Sequence, residues 1–101
     1  MTQDKWMSLL GLAHRAGKVV SGEEPVLREI RNGQAKLVIL AKDASRNTAK
    51  KMMDKCQYYR VPVRHADTRE TLGHAIGKDA RVVAAILEAG FAEKIAALLY
   101  E

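Results

Sequence analysis

Apolar residues along this chain follow two rhythms that take turns. Trp6, Leu9, Leu10, Ala13 and Ala16 stand three and four residues apart, which predicts a helix over 3–16 with Gly17 as its stop. Val19-Val20 is a short strand candidate. Between Gly22 and Asn32 the apolar positions Val26, Leu27 and Ile30 mark the inner face of a second helix, with Pro25 in its first turn, where a missing N–H costs nothing. Leu37 to Ala41 is apolar without a break, the pattern of a strand covered on both faces. Ser45 or Asn47 then caps a helix to about Tyr58, and Val61–His65 reads as a third strand. Thr68 opens a helix to Ile76, Arg81–Leu87 is a fourth strand, and Phe91–Tyr100 closes the chain as an amphipathic helix. Strands and helices in alternation predict an α/β layered domain with helices on both faces of one sheet. No linker, low-complexity tract or internal repeat interrupts the pattern, so residues 1–101 are expected to form a single domain.

Charge changes the picture. The chain carries 17 Lys+Arg against 12 Asp+Glu, a net charge of +5, which favours an acidic partner such as nucleic acid or an anionic surface. The excess is uneven: residues 82–101 hold only Lys94 against Glu88, Glu93 and Glu101. The last helix therefore reads as packing rather than contact surface. Cys56 is the single cysteine, so no intrachain disulfide is available, and a partly buried thiol in a reducing compartment is expected. No apolar run approaches the roughly 20 residues of a membrane span and the N-terminus lacks a signal-peptide core, so a cytoplasmic protein is expected.

Catalytic chemistry finds little support. His14, His65 and His74 lack the spacing of a zinc site, and neither a phosphate loop nor a dinucleotide glycine pattern is present, so no metal and no cofactor is expected. Ser45, Thr48 and His65 are residue types that form hydrolytic triads, but each is explained more simply as a cap or turn residue.

Binding is better supported. At Gly22 a helix with free backbone N–H groups begins beside the basic strand end Lys42-Asp43-Ala44-Ser45, an arrangement suited to a polyanion. The run from Gly22 through Gly33, followed by Gln34 to Ala44, resembles the signature of the kink-turn-binding ribosomal protein superfamily. There a helix begins G-x-N-E, carries Lys four residues after the Asn, ends at Gly and leads through a strand into an (E/K)DA turn. Leu72-Gly73-His74-Ala75-Ile76-Gly77-Lys78-Asp79-Ala80 is similar to a second family motif, a helix LGxAxG and the loop after it. The likeness covers about residues 10–87 and is strongest to the short bacterial, YlxQ-like branch.

The resemblance implies a three-layer α/β/α sandwich with a mixed four-stranded sheet, and a non-enzymatic, ribosome-associated protein that grips the sharp bend of an RNA kink-turn. It assigns Gly22, Glu23 and Glu24 to the tandem G·A pairs, Arg28 to the guanine contacted by the family Lys, and Lys78, Asp79 and Ala80 to an extruded nucleotide. Arg31 and Lys42 join these as basic neighbours. Glu24 and Pro25 stand where the family has Asn and Glu, and Lys78 replaces an apolar residue. Arg28 follows Glu24 by one helical turn, so a guanidinium fork and a carboxylate acceptor share one face. The expected partner is structured RNA, with ribosomal RNA the foremost target, bound by a monomer without a membrane. The alternative is a protein-interaction adaptor of the same fold that has lost tight RNA binding. Simpler roles also exist for each residue: Glu23 and Glu24 suit the helix dipole, Arg28 and Arg31 suit a solvated face, and Lys50, Lys51 and Lys55 read as solvated. Trp6, Tyr58 and Tyr59 read as core or interface fillers, and Gly73 and Gly77 as packing and termination glycines.

Overall fold

The structure, a computed structural model, describes residues 2–99, with the side chains of 2–4 excepted. Nine elements follow in order: α1 (Thr2–Arg15), β1 (Val19–Ser21), α2 (Glu23–Arg31), β2 (Leu37–Ala41), α3 (Arg46–Tyr59), β3 (Val63–Ala66), α4 (Arg69–Ala75), β4 (Val83–Ile86) and α5 (Ala89–Leu98). The strands form one sheet in the order β1-β4-β2-β3. β2 and β3 are parallel, with Val38 opposite Val63, while β4 lies antiparallel to both β1 and β2, with Ile86 opposite Val19 and Leu37.

Strand alternation sends neighbouring side chains to opposite faces, and the unbroken apolar run of β2 thereby feeds two cores. Leu37, Ile39 and Ala41, with Ala84 and Ile86 of β4, pack beneath Trp6 and Leu10 of α1, Leu72 of α4 and Ile95 of α5. Val38 and Leu40, with Val83 and Ala85, pack beneath Val26, Leu27 and Ile30 of α2 and Met52 and Cys56 of α3. All five residues of β2 and all four of β4 are buried. Helices on both faces make the three-layer α/β/α sandwich with a mixed four-stranded sheet that the sequence implied.

Element boundaries differ where local chemistry intervenes. β3 begins at Val63 rather than Val61, because the Val61 N–H turns back to Cys56 O to close α3 and Pro62 has no N–H to give a ladder. β4 is shorter than Arg81–Leu87 because the Arg81 N–H donates to Arg69 O and the Leu87 N–H to Lys18 O, outside the sheet. α5 starts at Ala89, ahead of Phe91, because the Glu88 carboxylate caps it by accepting from Phe91 N at 2.7 Å. Tyr100, its expected end, lies outside the described residues. Ser45, not Asn47, caps α3, and Thr68 caps α4. Trp6 is core, whereas Tyr58 is 79% exposed and Tyr59 is exposed beside it, so the tyrosines fill no core of this chain. Cys56 is fully rather than partly buried, and burial pushes its thiol up to about 11. Among the described residues no helix is long and apolar enough to cross a membrane.

Candidate nucleic-acid interface

β1, β2 and β3 point the same way and β4 points against them, so the carboxyl ends of three strands and the start of the fourth meet at one end of the sheet. Open α/β sheets bind ligands at that end. Four loops converge there: residues 21–22, 42–45, 67–68 and 76–82.

α2 starts in this cluster with its donors free. Gly22 has φ 93° and ψ 157°, a conformation reserved for glycine. Its own N–H is fixed to Val83 O at 3.0 Å and its carbonyl accepts from Val26 N at 3.1 Å. No side chain caps the helix and Pro25 has no N–H, which leaves the Glu23 and Glu24 amides as the pair without a hydrogen-bond partner among the described residues. Such amides with the helix dipole behind them attract anions. Glu24, Arg28 and Arg31 are exposed and share the side of α2 away from Val26, Leu27 and Ile30. At 1.5 Å rise per residue, Arg28 and Arg31 lie roughly 6 and 10 Å along the axis from Glu24.

Glu23 is placed differently. Thr48 Oγ1 donates to its Oε2 at 2.9 Å and Lys51 Nζ donates to its Oε1 at 3.0 Å, which ties the start of α2 to α3. The Lys51 bond first and the Thr48 bond second hold the Glu23 carboxyl below the usual carboxylate range. Lys51 is therefore bridged rather than simply solvated, and Lys50 pairs with Asp54 at 2.9 Å on the open side of α3. Thr48 is committed to Glu23 and Ser45 Oγ to Thr48 N, so these two hydroxyls serve α2 and α3 rather than a hydrolytic triad.

The other loops are cross-linked by two arginines. The Arg69 N–H donates to Asp43 Oδ1 at 2.9 Å and its Nη2 to Asp43 O at 2.6 Å. Both side chains of this pair are nearly half exposed, so its Coulombic worth is at most about 1 kcal/mol. Its effect is geometric, tying the end of β2 to the start of α4. Arg81 Nε reaches Ser21 Oγ at 3.2 Å and its Nη1 reaches Ala80 O at 2.9 Å, while the Arg81 N–H donates to Arg69 O. The loop carrying Lys78, Asp79 and Ala80 thereby rests beside the start of α2, with all three residues exposed. Gly73 lets that loop settle on α4. A Cβ there would collide with the Asp79 carbonyl oxygen and lie 2.7 Å from its carbon and 3.1 Å from Ala80 Cα. Lys42, exposed at the end of β2, is pinned by its N–H to Asp67 O; Ala41 and Gly22 donate to the adjacent carbonyls of Val82 and Val83, so Lys42 and the α2 start flank β4.

The fold thus gathers Gly22, Glu23, Glu24, Lys42, Lys78, Asp79 and Ala80 at one end of the sheet, with Arg28 and Arg31 along one face of α2. Sequence reasoning passed over Arg69 and Arg81 and the bridging roles of Thr48 and Lys51. Their partners lie 25 to 60 residues away along the chain, beyond the reach of local spacing.

This fold and this loop cluster define a class. Residues 4–96 match the model of the Ribosomal protein L7Ae/L30e/S12e/Gadd45 family. The chain belongs to that family. It is 58% identical over 99 residues to the RNA-binding protein YlxQ of Bacillus subtilis, covering 98% of this chain and 99% of that one. It is 35% identical to the large ribosomal subunit protein eL30 of Tetrahymena thermophila, over 89% of this chain and 88% of that protein. A solved structure of a Bacillus halodurans protein superposes with a TM-score of 0.92 at 52% identity, covering 96% of this chain and 98% of that one.

Proposed function

We propose that this protein is a non-enzymatic, cytoplasmic RNA-binding protein that recognises kink-turn motifs with tandem G·A pairs, ribosomal RNA foremost, and does so as a monomer. The observation that carries the reading is the uncapped start of α2 at Gly22, with exposed Arg28 and Arg31 on one face and the Lys78–Ala80 loop beside it. The name of the Bacillus subtilis relative, an RNA-binding protein, supports it.

Each part has a physical task. Regular A-form RNA hides its base edges in a deep, narrow groove, so a protein reads RNA where the helix is distorted. The Glu23 and Glu24 amides meet phosphate at the bend. The Glu24 carboxylate accepts from guanine N1–H and N2–H, and Arg28 forks onto guanine O6 and N7 one turn further on. Glu23, held by Thr48 and Lys51, keeps the helix start in place and has its charge compensated before RNA arrives. Lys78, Asp79 and Ala80 cover an extruded nucleotide, and Lys42 adds positive charge at the far rim.

A gel-shift titration against a kink-turn duplex and a matched duplex lacking the G·A pairs tests the proposal. The expected result is tighter binding to the kink-turn. Its affinity should fall between roughly 50 and 200 mM salt by about 0.7 to 0.9 log units per log unit of salt for each phosphate neutralised. Equal affinity for both duplexes removes kink-turn recognition. Absence of binding to either, with the fold intact, leaves the adaptor reading in its place.

A further inference from the structure

The C-terminal end of α3 carries exposed aromatic rings among cationic side chains. This helix carries Arg46, Lys50, Lys51 and Lys55 against a single acid, Asp54, which Lys50 already engages. Thr48 and Lys51 face Glu23 of α2. Lys55, Tyr58 and Tyr59 follow them at three- and four-residue spacing, which places all five along the same flank. At its end Tyr58 is 79% exposed and stands edge-on to Tyr59, ring centroids 4.9 Å apart and 76° between planes. The pair presents open aromatic faces to solvent, with a polar hydroxyl on each ring.

Arg60 adds an independent sign. It is the one non-glycine residue with positive φ among those described, at φ 60° and ψ 46°. Its N–H donates to Gln57 O and that of Val61 to Cys56 O, the helix-closing arrangement that glycine ordinarily occupies. The chain tolerates a strained backbone here and keeps a cationic side chain next to the tyrosines.

We propose that Tyr58, with Lys51, Lys55 and Arg60, is a stacking platform for an unpaired RNA segment leaving the kink-turn site. The inference rests on the functional reading above, which supplies the anchored RNA. α3 covers about 18 Å from Arg46 to Tyr58 at 1.5 Å per residue, so a strand anchored at the α2 start passes Lys51 and Lys55 before a base reaches the rings. Aromatic stacking with flanking cations is the chemistry that single-stranded nucleic acid uses, and it accepts any base. A protein partner is the competing occupant, disfavoured by the cationic surroundings.

Three probes decide: a kink-turn hairpin, the same hairpin with a tail of about seven uridines on either end, and that oligouridine alone. The tail on one end is expected to tighten binding by the wild type about tenfold. Tyr58→Ala and Arg60→Gly should lose that gain while binding the untailed hairpin as the wild type does. Arg60→Gly should do so with a raised Tm, which separates lost contact from lost fold. A tail without effect on either end, or an equal loss by Tyr58→Ala on tailed and untailed hairpins, overturns the platform and leaves the kink-turn reading standing. If the wild type ignores the hairpin itself, the functional reading fails. The platform is then judged on oligouridine alone: NMR shifts confined to the Tyr58 and Tyr59 rings and Lys55 support it, and silent rings reject it in favour of a protein partner.

Discussion

Replacing Gly73 by alanine should damage this protein more than any other loss of a glycine hydrogen. The added methyl has no room. It would overlap the Asp79 carbonyl oxygen and sit 2.7 Å from the Asp79 carbonyl carbon, atoms of backbone that cannot rotate aside as a side chain would. The loop over 78–80 must lift off α4, and it is held by the Lys78 N–H to Gly73 O at 2.9 Å and the Arg81 N–H to Arg69 O at 3.0 Å. Two such bonds are worth about 1 kcal/mol each net, and forcing a methyl into a packed site costs a further 1 to 3 kcal/mol or so. The total is roughly 3 to 5 kcal/mol, which for a domain of this size lowers Tm by more than about 10 °C. Gly77→Ala is the internal control: it sits at φ 69° with open space around its missing Cβ, so it costs only the backbone strain of a left-handed alanine, about 1 to 2 kcal/mol. Thermal and urea unfolding give both values, and a kink-turn titration at a temperature where each variant is folded gives the effect on the loop. A Gly73→Ala protein as stable as Gly77→Ala would refute the close approach of loop and helix. Wild-type RNA affinity in a folded Gly73→Ala protein would remove the 78–80 loop from the interface.

Arg28→Ala should weaken kink-turn binding by about 1 to 3 kcal/mol with Tm unchanged, whereas Lys94→Ala on α5 leaves affinity as it was; a reversal of the two in gel shifts would put the interface on the opposite layer. Glu24→Ala should also weaken binding, by about 1.5 to 3 kcal/mol, if its carboxylate accepts from guanine, and tighter binding would assign it to the helix dipole alone. Glu23 has a depressed folded pKa, so its contribution is present above the unfolded value and lost as pH falls through the folded one. The stability difference between wild type and Glu23→Gln, measured by urea unfolding, should therefore be largest near neutral pH and shrink on acidification, and a constant difference would show the Lys51 and Thr48 bonds to be idle. Cys56, its thiol buried and raised to about 11, should resist alkylation at mildly alkaline pH until the protein is unfolded, and rapid labelling of the native state would contradict its burial.

Legibility in the sequence followed the range of the interactions. β2 was readable to the residue because a strand buried on both faces is one unbroken apolar run, Leu37 to Ala41, and α2 because Gly22, Pro25 and the spacing of Val26, Leu27 and Ile30 all speak for the same helix. Ends were harder. Glu88 caps α5 although glutamate is not a preferred capping residue, and Pro62 with the returning Val61 N–H shortens β3. At the candidate interface, the resemblance to the family pointed to Gly22, Arg28 and the 78–80 loop, but not to what holds them. Arg81 meets Ser21 and Arg69 meets Asp43 only because the strand order brings distant loops to one end. For Tyr58 and Tyr59 the core half of the expectation fails and the interface half stays open, because an aromatic at a helical position has the same local pattern whether it ends in a core or in solvent.

The place of β4 in the sheet also sets a timetable. β1 hydrogen-bonds to β4 alone, although about two thirds of the chain separates Val19 from its partner Ile86, and closing so long a loop comes late in folding. A chain emerging from synthesis can pair β2 with β3 and cover them with α3 while Gly22 still lacks the Val83 carbonyl and Ser21 still lacks Arg81. The start of α2 is then unanchored and the loop cluster incomplete. Because the strand that locks the site is the last one made, an unfinished chain holds no assembled interface, and competence to bind arrives together with completion of the domain.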